Sequence, residues 1–300
     1  MRATVLKVAD VYVAPDADSQ KVSVVTPGHE VVITERSGPW VKVFANTDVQ
    51  EEKAEDEPEF STDPASVPRA GWIRNKGVVG PTTPSGDKLI YGAAASLEAA
   101  AGELHAPKSA AGAAHLLYRR VAEYFPASSL AGESTWRSAD IRWQEDKFDA
   151  STLPSAKDMD ASLRPQLYAK GLQKIVKTGT GKYPALAAFD LIDAKLCGDW
   201  QGLPKCPEME GNLYTKYAEQ FPDGPKTAEA LWNATYRQGV LVTMYTTEEN
   251  RKKAEAAAAR AHTLRDQMVS RFPASDYTAR ASSLVYRVEQ GIAIYGSDRD

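Results

Sequence analysis

A Phe-Pro dipeptide follows an apolar stretch at three places in the chain and constrains the fold more than any other feature. The copies are Phe125-Pro126, Phe221-Pro222 and Phe272-Pro273. The apolar residues before each Phe recur at helical spacing. Proline cannot donate a hydrogen bond to a continuing helix and restricts the residue before it, so each dipeptide predicts a helix end. Units that recur in this way bury their apolar faces by stacking, which predicts an α-helical repeat array.

Positions counted back from each Phe make the copies comparable. Four residues before the Phe stand Val121, Tyr217 and Met268, and seven residues before it stands a tyrosine in the first two copies. The third copy has Arg265 there and is the most divergent. Such spacings place side chains on one helix face, and the Phe is the last apolar residue of that face. The residues expected to define the repeat are Tyr118, Val121, Phe125, Pro126, Tyr214, Tyr217, Phe221, Pro222, Met268, Phe272 and Pro273.

The residues after each Phe-Pro predict a second helix. Ser128, Asp223 and Ser275 stand where a side chain could cap that helix or shape its first turn. An alanine six or seven residues after the Phe is expected to let the second helix approach the first closely. Helix, Phe-Pro, cap and helix together predict a compact antiparallel hairpin. The three alanines are Ala131, Ala228 and Ala279.

Apolar periodicity predicts about nine helices after a Gly- and Pro-rich linker at residues 81–87. We expect residues 88–300 to form one helical domain. The expected helices are residues 88–104, 109–125, 128–147, 162–177, 184–196, 208–221, 225–245, 248–271 and 276–293.

Residues 1–80 have a different pattern. Short β-branched or alternating runs are separated by Gly and Pro turns, which is typical of a small barrel of five or six strands. The predicted fold class is therefore a small β-barrel followed by an all-α region of helical hairpins.

Four short motifs follow one another along this region, in the order in which a known family has them. Residues 11–15 (VYVAP), 27–31 (PGHEV), 38–43 (GPWVKV) and 71–73 (GWI) resemble the bacterial SH3 domain, although the first motif lacks the family's Asn and Arg. The resemblance implies an SH3-like barrel that recognises a peptide or a cell-wall component. Tyr12, Trp40 and Trp72 would then flank its ligand groove, or the two tryptophans would mainly support the barrel.

The Phe-Pro hairpins resemble tetratricopeptide-like repeats, in the version found in outer-membrane assembly lipoproteins and periplasmic cell-division coordinator proteins. The resemblance covers three hairpins within residues 109–293 and implies a protein-binding array.

An acidic insertion interrupts the SH3-like region. Residues 46–70 carry eight acidic and two basic residues, with three prolines. This composition predicts a mobile, solvated loop. It is either an acidic arm for a basic partner or a tolerated surface insertion.

The only two cysteines, Cys197 and Cys206, are close in sequence, with Gly198, Gly202 and Pro204 between them. They could form a disulfide, remain thiols or, with further ligands, bind zinc. A disulfide would indicate an oxidising compartment.

Composition excludes several classes of protein. The net charge of −4 argues against a nucleic-acid binder, which needs a basic field. No apolar run approaches the ~18–20 residues of a membrane span. The first residues do not resemble a signal peptide, so the protein is cytoplasmic or its signal has been removed; the cysteine pair favours export to the periplasm.

The sequence predicts no catalytic, metal or cofactor site. Residues 178–182 (TGTGK) lack the first Gly and the final Ser or Thr of a phosphate loop. Ser85-x-x-Lys88 with Lys177-Thr178-Gly179 resembles penicillin-recognising enzymes, but the asparagine element between them is absent. We therefore expect a non-catalytic adaptor or scaffold of the bacterial envelope, bound to a protein or peptide and possibly to peptidoglycan. The alternative is a peptidoglycan amidase or peptidase with an unrecognised site.

Overall fold

A computed structural model describes residues 1–48, 69–107, 109–157 and 167–296. This part of the chain divides into two compact units, Met1–Glu145 and Asp146–Asp300. The first unit contains a β-sheet and the first helices, and the second unit is helical. The expected linker and domain limits at residues 81–87 stay predictions, and most of the expected acidic loop lies outside the described residues.

The sheet of the first unit is antiparallel and has seven strands in the order β3-β2-β6-β5-β4-β1-β7. One face carries a compact aliphatic core that includes Val11, Val41 and Ile73, all fully buried. On β5 and β6 the residues that alternate with these core residues lie on the opposite face of the sheet. The strands are β1 (Arg2–Val5), β2 (Ala9–Tyr12), β3 (Lys21–Val25), β4 (Glu30–Ser37), β5 (Trp40–Ala45), β6 (Arg69–Arg74) and β7 (Val78–Val79).

The described residues after the sheet form nine α-helices, so the predicted fold class of a small β domain followed by an all-α region is confirmed. Most boundaries fall within a few residues of those expected. Two helices are shorter than expected. The fourth begins only at Lys170, and the fifth ends early because the chain passes into a separate 3₁₀ turn at Asp193–Lys195. The helices are α1 (Gly86–Ala101), α2 (Ala110–Tyr124), α3 (Ala131–Ser151), α4 (Lys170–Thr178), α5 (Tyr183–Asp190), α6 (Lys205–Gln220), α7 (Thr227–Thr247), α8 (Arg251–Arg271) and α9 (Asp276–Glu289).

The three Phe-Pro dipeptides end α2, α6 and α8 in the same backbone conformation. Phe125, Phe221 and Phe272 have φ of −131°, −125° and −131° and ψ of 57°, 67° and 50°. The amide of each Phe donates to the carbonyl four residues earlier, at 2.7–3.0 Å. Its carbonyl accepts from the amide three residues later, at 2.9–3.1 Å. The dipeptide therefore ends each helix and turns the chain into the next one.

The repeat-defining residues lie in two cores. Tyr118 and Val121 are fully buried in the first unit, and Phe125 packs against their cluster. In the second unit one cluster contains the buried repeat residues of both hairpins, and two Phe rings pack against it. The three prolines are exposed. The second-unit residues are Tyr214, Tyr217, Met268, Phe221 and Phe272.

The expected role at the start of the second helix is met by Ser275 and by Ser128, whose hydroxyl accepts the amide hydrogen of Leu130 at 3.2 Å, but not by Asp223. Ser275 caps α9, since its side chain accepts the amide hydrogen of Tyr277 at 3.3 Å. Asp223 does not cap α7, because its side chain is 99% exposed and α7 begins only at Thr227. The hydroxyls of Thr227 and Thr278 instead donate to the carbonyls of Phe221 and Phe272.

In the third copy the expected alanine does not allow close helix approach. Ala279 is exposed, and Ala131 and Ala228 are only partly buried. Nine residues after the Phe, however, all three copies place a small side chain that is fully buried. An exposed alanine cannot set the distance between two helices, whereas a buried small residue can. The three residues are Ser134, Ala230 and Ala281.

Candidate functional site

Five side chains gather on the outer face of the sheet, opposite its aliphatic core. Tyr12 and Lys42 both pair with Trp72, and Trp40 pairs with Arg74. Directly paired residues on neighbouring strands share a face, and so do residues two apart on one strand. We call Tyr12, Trp40, Lys42, Trp72 and Arg74 the aromatic–cation face.

The three aromatic residues expected from the sequence therefore lie together. The rings of Tyr12 and Trp40 meet edge to face, with centroids 5.4 Å apart. Trp40 is 5% and Trp72 is 8% exposed, while Tyr12 is partly exposed. Both tryptophans lie outside the aliphatic core cluster, on the opposite face of the sheet.

Two cations cover the indole rings. The guanidinium carbon of Arg74 lies 4.3 Å from the centroid of Trp40, and Lys42 Nζ lies 5.8 Å from that of Trp72. A cation over an indole face contributes about 0.5–1 kcal/mol at an exposed site.

These cations differ in their acidic partners. Lys42 Nζ is 3.8 Å from Glu35, at the limit of an ion pair. Beside the face, Lys21 lies 2.6 Å from Asp10, and this hydrogen bond raises the pKa of the Lys21 ammonium. Arg74 is exposed and has no carboxylate partner within the part of the chain that the structure describes. The face therefore offers one guanidinium that can take up an external anion.

This chemistry suits binding. A guanidinium can hold a carboxylate through two parallel hydrogen bonds, and the neighbouring aromatic surface can contact an apolar group of the same ligand. Phe44, 48% exposed, lies two residues beyond Lys42 on the same strand and extends the apolar surface. Among the described residues no group of three His, Cys, Asp or Glu side chains could hold a metal ion.

Lys42 and Arg74 were not singled out in the sequence, although a signal for them exists. Each stands two residues after a tryptophan of the face, and strand periodicity places such residues side by side.

A buried ionic cluster joins the sheet to α2 within the first unit. The guanidinium of Arg120 bonds Asp48, and both side chains are at most 2% exposed. Arg120 also donates to the carbonyl of Gly28 at 2.9 Å and bonds Glu123 at 2.6 Å. Asp48 accepts in addition from the amide of Glu30 at 3.0 Å. These bonds fix the loops at one end of the sheet on α2.

The ionisation of this pair is determined by competing effects. Burial by itself raises the pKa of Asp48, but the hydrogen bond with His29 and the charge of Arg120 bring it below its ordinary value. Burial lowers the pKa of Arg120, and the charges of Asp48 and Glu123 more than offset this. Both directions indicate an ionised pair.

The second unit has its own buried ionic group, next to the disulfide. Cys197 and Cys206 are bonded, with Cα atoms 6.1 Å apart, which leaves neither cysteine free. The buried carboxylate of Glu210 lies 3.0 Å from Arg237 and accepts from the amide of Cys197 at 2.9 Å. Glu210 thus ties the disulfide-bonded segment to α6 and α7.

Comparison with known proteins identifies the first of these regions. Residues 7–55 match the family model described as bacterial SH3 domain. No curated protein matches the chain. A solved structure named DHF79 filament is 11% identical and covers 67% of this chain and 96% of its own, with a TM-score of 0.25, too low to support any argument. Within the described residues no helix is long and apolar enough to cross a membrane. The chain therefore contains a bacterial SH3 domain at residues 7–55, followed by an all-α region.

Proposed function

We propose that this protein is a non-catalytic adaptor of the bacterial envelope. The bacterial SH3 domain would recognise a peptide or a cell-wall component, and the helical region would bind a protein partner. The observation that carries the proposal is the aromatic–cation face, because it combines closely packed aromatic rings with the guanidinium of Arg74 on the outer face of the sheet.

The chemistry of the face indicates the kind of ligand. Peptides and the peptide stems of peptidoglycan carry carboxylates next to short apolar side chains. A carboxylate would bind the guanidinium of Arg74, and an apolar group would lie against Phe44 or the exposed part of Tyr12. Lys42 would add a second positive charge.

The helical region supports the second half of the proposal. Its three Phe-Pro turns share one backbone conformation, which favours tetratricopeptide-like hairpins. Arrays of this kind present extended surfaces to other proteins. The Cys197–Cys206 disulfide favours an exported protein, because disulfides persist in oxidising compartments.

The proposed adaptor function is tested by measuring how the protein and two variants bind to purified peptidoglycan. The variant is Arg74→Ala, and the matched control is Lys76→Ala, which removes an exposed cation two residues further along the chain. We expect Arg74→Ala to weaken binding about five- to tenfold, because a charge-assisted hydrogen bond contributes about 1–1.5 kcal/mol at an exposed site. Lys76→Ala should bind like the unchanged protein.

Two results would count against the proposal. Equal binding by both variants would show that the aromatic–cation face does not take part in ligand recognition. Release of soluble peptidoglycan fragments by the purified protein would show that the protein is a hydrolase and not an adaptor. A parallel pull-down from envelope extract, with the same two variants, tests a peptide or protein ligand of the face.

A further inference from the structure

Three turns of the first unit are bonded to one another. The amide of Asn75 donates to the carbonyl of Pro39 at 2.8 Å, which joins the turn between β6 and β7 to the turn between β4 and β5. The amide of Leu6 donates to the carbonyl of Gly77 at 2.9 Å, which adds the turn between β1 and β2. We call residues 6–8, 38–39 and 75–77 the three-turn tip.

The tip exposes apolar side chains to water. Val8 is 59% exposed, and Pro39 is exposed as well. A Cβ atom added at Gly38 would meet no other part of the protein within 4 Å, so the turn beside Pro39 has open space around it. An object that approaches the tip can therefore reach both apolar side chains.

The tip is also positively charged. Lys7 and Lys76 are exposed, and a Cβ atom added at Gly77 would lie only 3.8 Å from Cγ of Lys7. Arg36 and Arg74 are exposed near the ends of the strands that lead into the tip. None of these four cations pairs with a carboxylate in the part of the chain that the structure describes.

The carboxylates nearest in sequence already have partners. Asp10 lies 2.6 Å from Lys21, and Glu35 lies 3.8 Å from Lys42. The tip itself contains no acidic residue. Its positive charge is therefore left without a counter-charge among the described residues, and it is available to an external anion.

We propose that the three-turn tip binds the surface of an anionic lipid bilayer. The lysines would lie among the lipid phosphates, and Val8 and Pro39 would contact the boundary between headgroups and acyl chains. A water-soluble anionic polymer would satisfy the cations but would leave the apolar side chains in water. The combination of charge and exposed apolar groups therefore favours a bilayer. Lys7, Lys76 and Val8 lie outside the aromatic–cation face, so this inference is independent of the ligand proposed for that face.

Sedimentation with lipid vesicles tests the proposal on the full chain at low ionic strength. We expect binding to vesicles of equal parts phosphatidylglycerol and phosphatidylcholine, and none to phosphatidylcholine alone. Each lysine near an anionic leaflet strengthens binding about fivefold, so Lys7→Gln/Lys76→Gln should bind about 25-fold more weakly. The matched control is Lys205→Gln/Lys252→Gln, which makes the same charge change at two exposed lysines of the second unit. Equal losses in the two double variants, or no binding to anionic vesicles, would overturn the proposal.

A second pair of variants distinguishes a bilayer from a soluble polyanion. Val8→Ser removes an apolar contact and should weaken vesicle binding roughly three- to tenfold. Val13→Ser is the control, because Val13 is 57% exposed and lies outside the tip, and it should bind like the unchanged protein. Unchanged vesicle binding by Val8→Ser, with binding lost in the lysine variant, would show attraction to any polyanion and overturn the assignment to a bilayer.

Discussion

Replacement of Arg120 by methionine tests the ionic cluster that joins the sheet to α2. Methionine keeps much of the volume but leaves the Asp48 carboxylate buried without its cation. The carboxylate would retain only the hydrogen bonds from His29 and Glu30. Removal of one partner of a buried pair costs about 3–5 kcal/mol, and loss of the bond to the Gly28 carbonyl adds to this. We expect Arg120→Met to lower the free energy of unfolding of the first unit by about 4 kcal/mol.

The assay is urea denaturation followed by tryptophan fluorescence, since Trp40 and Trp72 lie in the sheet that Arg120 supports. Hydrogen exchange of β4 and β5 amides assigns the transition to the first unit. The control is Arg119→Met on the same helix, whose side chain is 31% exposed and pairs with Glu123. A partly exposed pair contributes at most about 1 kcal/mol, so this variant should unfold close to the unchanged protein.

A double-mutant cycle with Asp48→Asn isolates the pair itself. Because Arg120 and Asp48 are in contact, the double variant should lose at least about 2 kcal/mol less than the sum of the two single losses. Arg120→Met and Arg119→Met with equal stability, or additive losses in the cycle, would refute the reasoning.

Two further perturbations test the helices. Burial lowers the pKa of His115 to about 4, from 6.5, although its Nδ1 donates to the Ser138 carbonyl at 2.8 Å. Between these pH values the unfolded chain binds the proton and the folded chain does not, so stability should fall by about 2–3 kcal/mol as pH decreases from 6.5 to 4. Urea midpoints across this range should show a shallower decline for His115→Gln, and an identical decline would contradict the assignment. Thr278→Val removes the hydroxyl that donates to the Phe272 carbonyl at 2.7 Å, and it should cost about 1 kcal/mol, with Thr278→Ser close to the unchanged protein in thermal unfolding. Equal melting temperatures for the valine and serine variants would show that the bond contributes nothing.

The helices and their ends could be predicted because the signals are local. A proline after Phe125, Phe221 or Phe272 stops a helix whatever surrounds it, and apolar spacing shows which face of the helix is buried. The small residue between the helices of the third hairpin was assigned to the wrong position. Both an exposed Ala279 and a buried Ala281 are alanines, and only the angle and depth of packing distinguish them.

The residues of the candidate site could be predicted from the sequence, but their contacts could not. Trp40 and Trp72 stand in motifs of the bacterial SH3 domain, and strand alternation places Lys42 and Arg74 beside them. That Arg74 stacks on Trp40 and lacks a carboxylate partner among the described residues depends on the register between β5 and β6, which no sequence motif specifies.

The sequence by itself therefore determined the order of strands and helices and the helix ends at the three Phe-Pro dipeptides, because backbone restriction and apolar periodicity act over a few residues. The tertiary structure decided which distant residues meet. Arg120 and Asp48 are 72 positions apart, and Tyr295 reaches Gly202 across 93. Neither pair has a local pattern, since each bond forms only when tertiary packing brings the two polar atoms together.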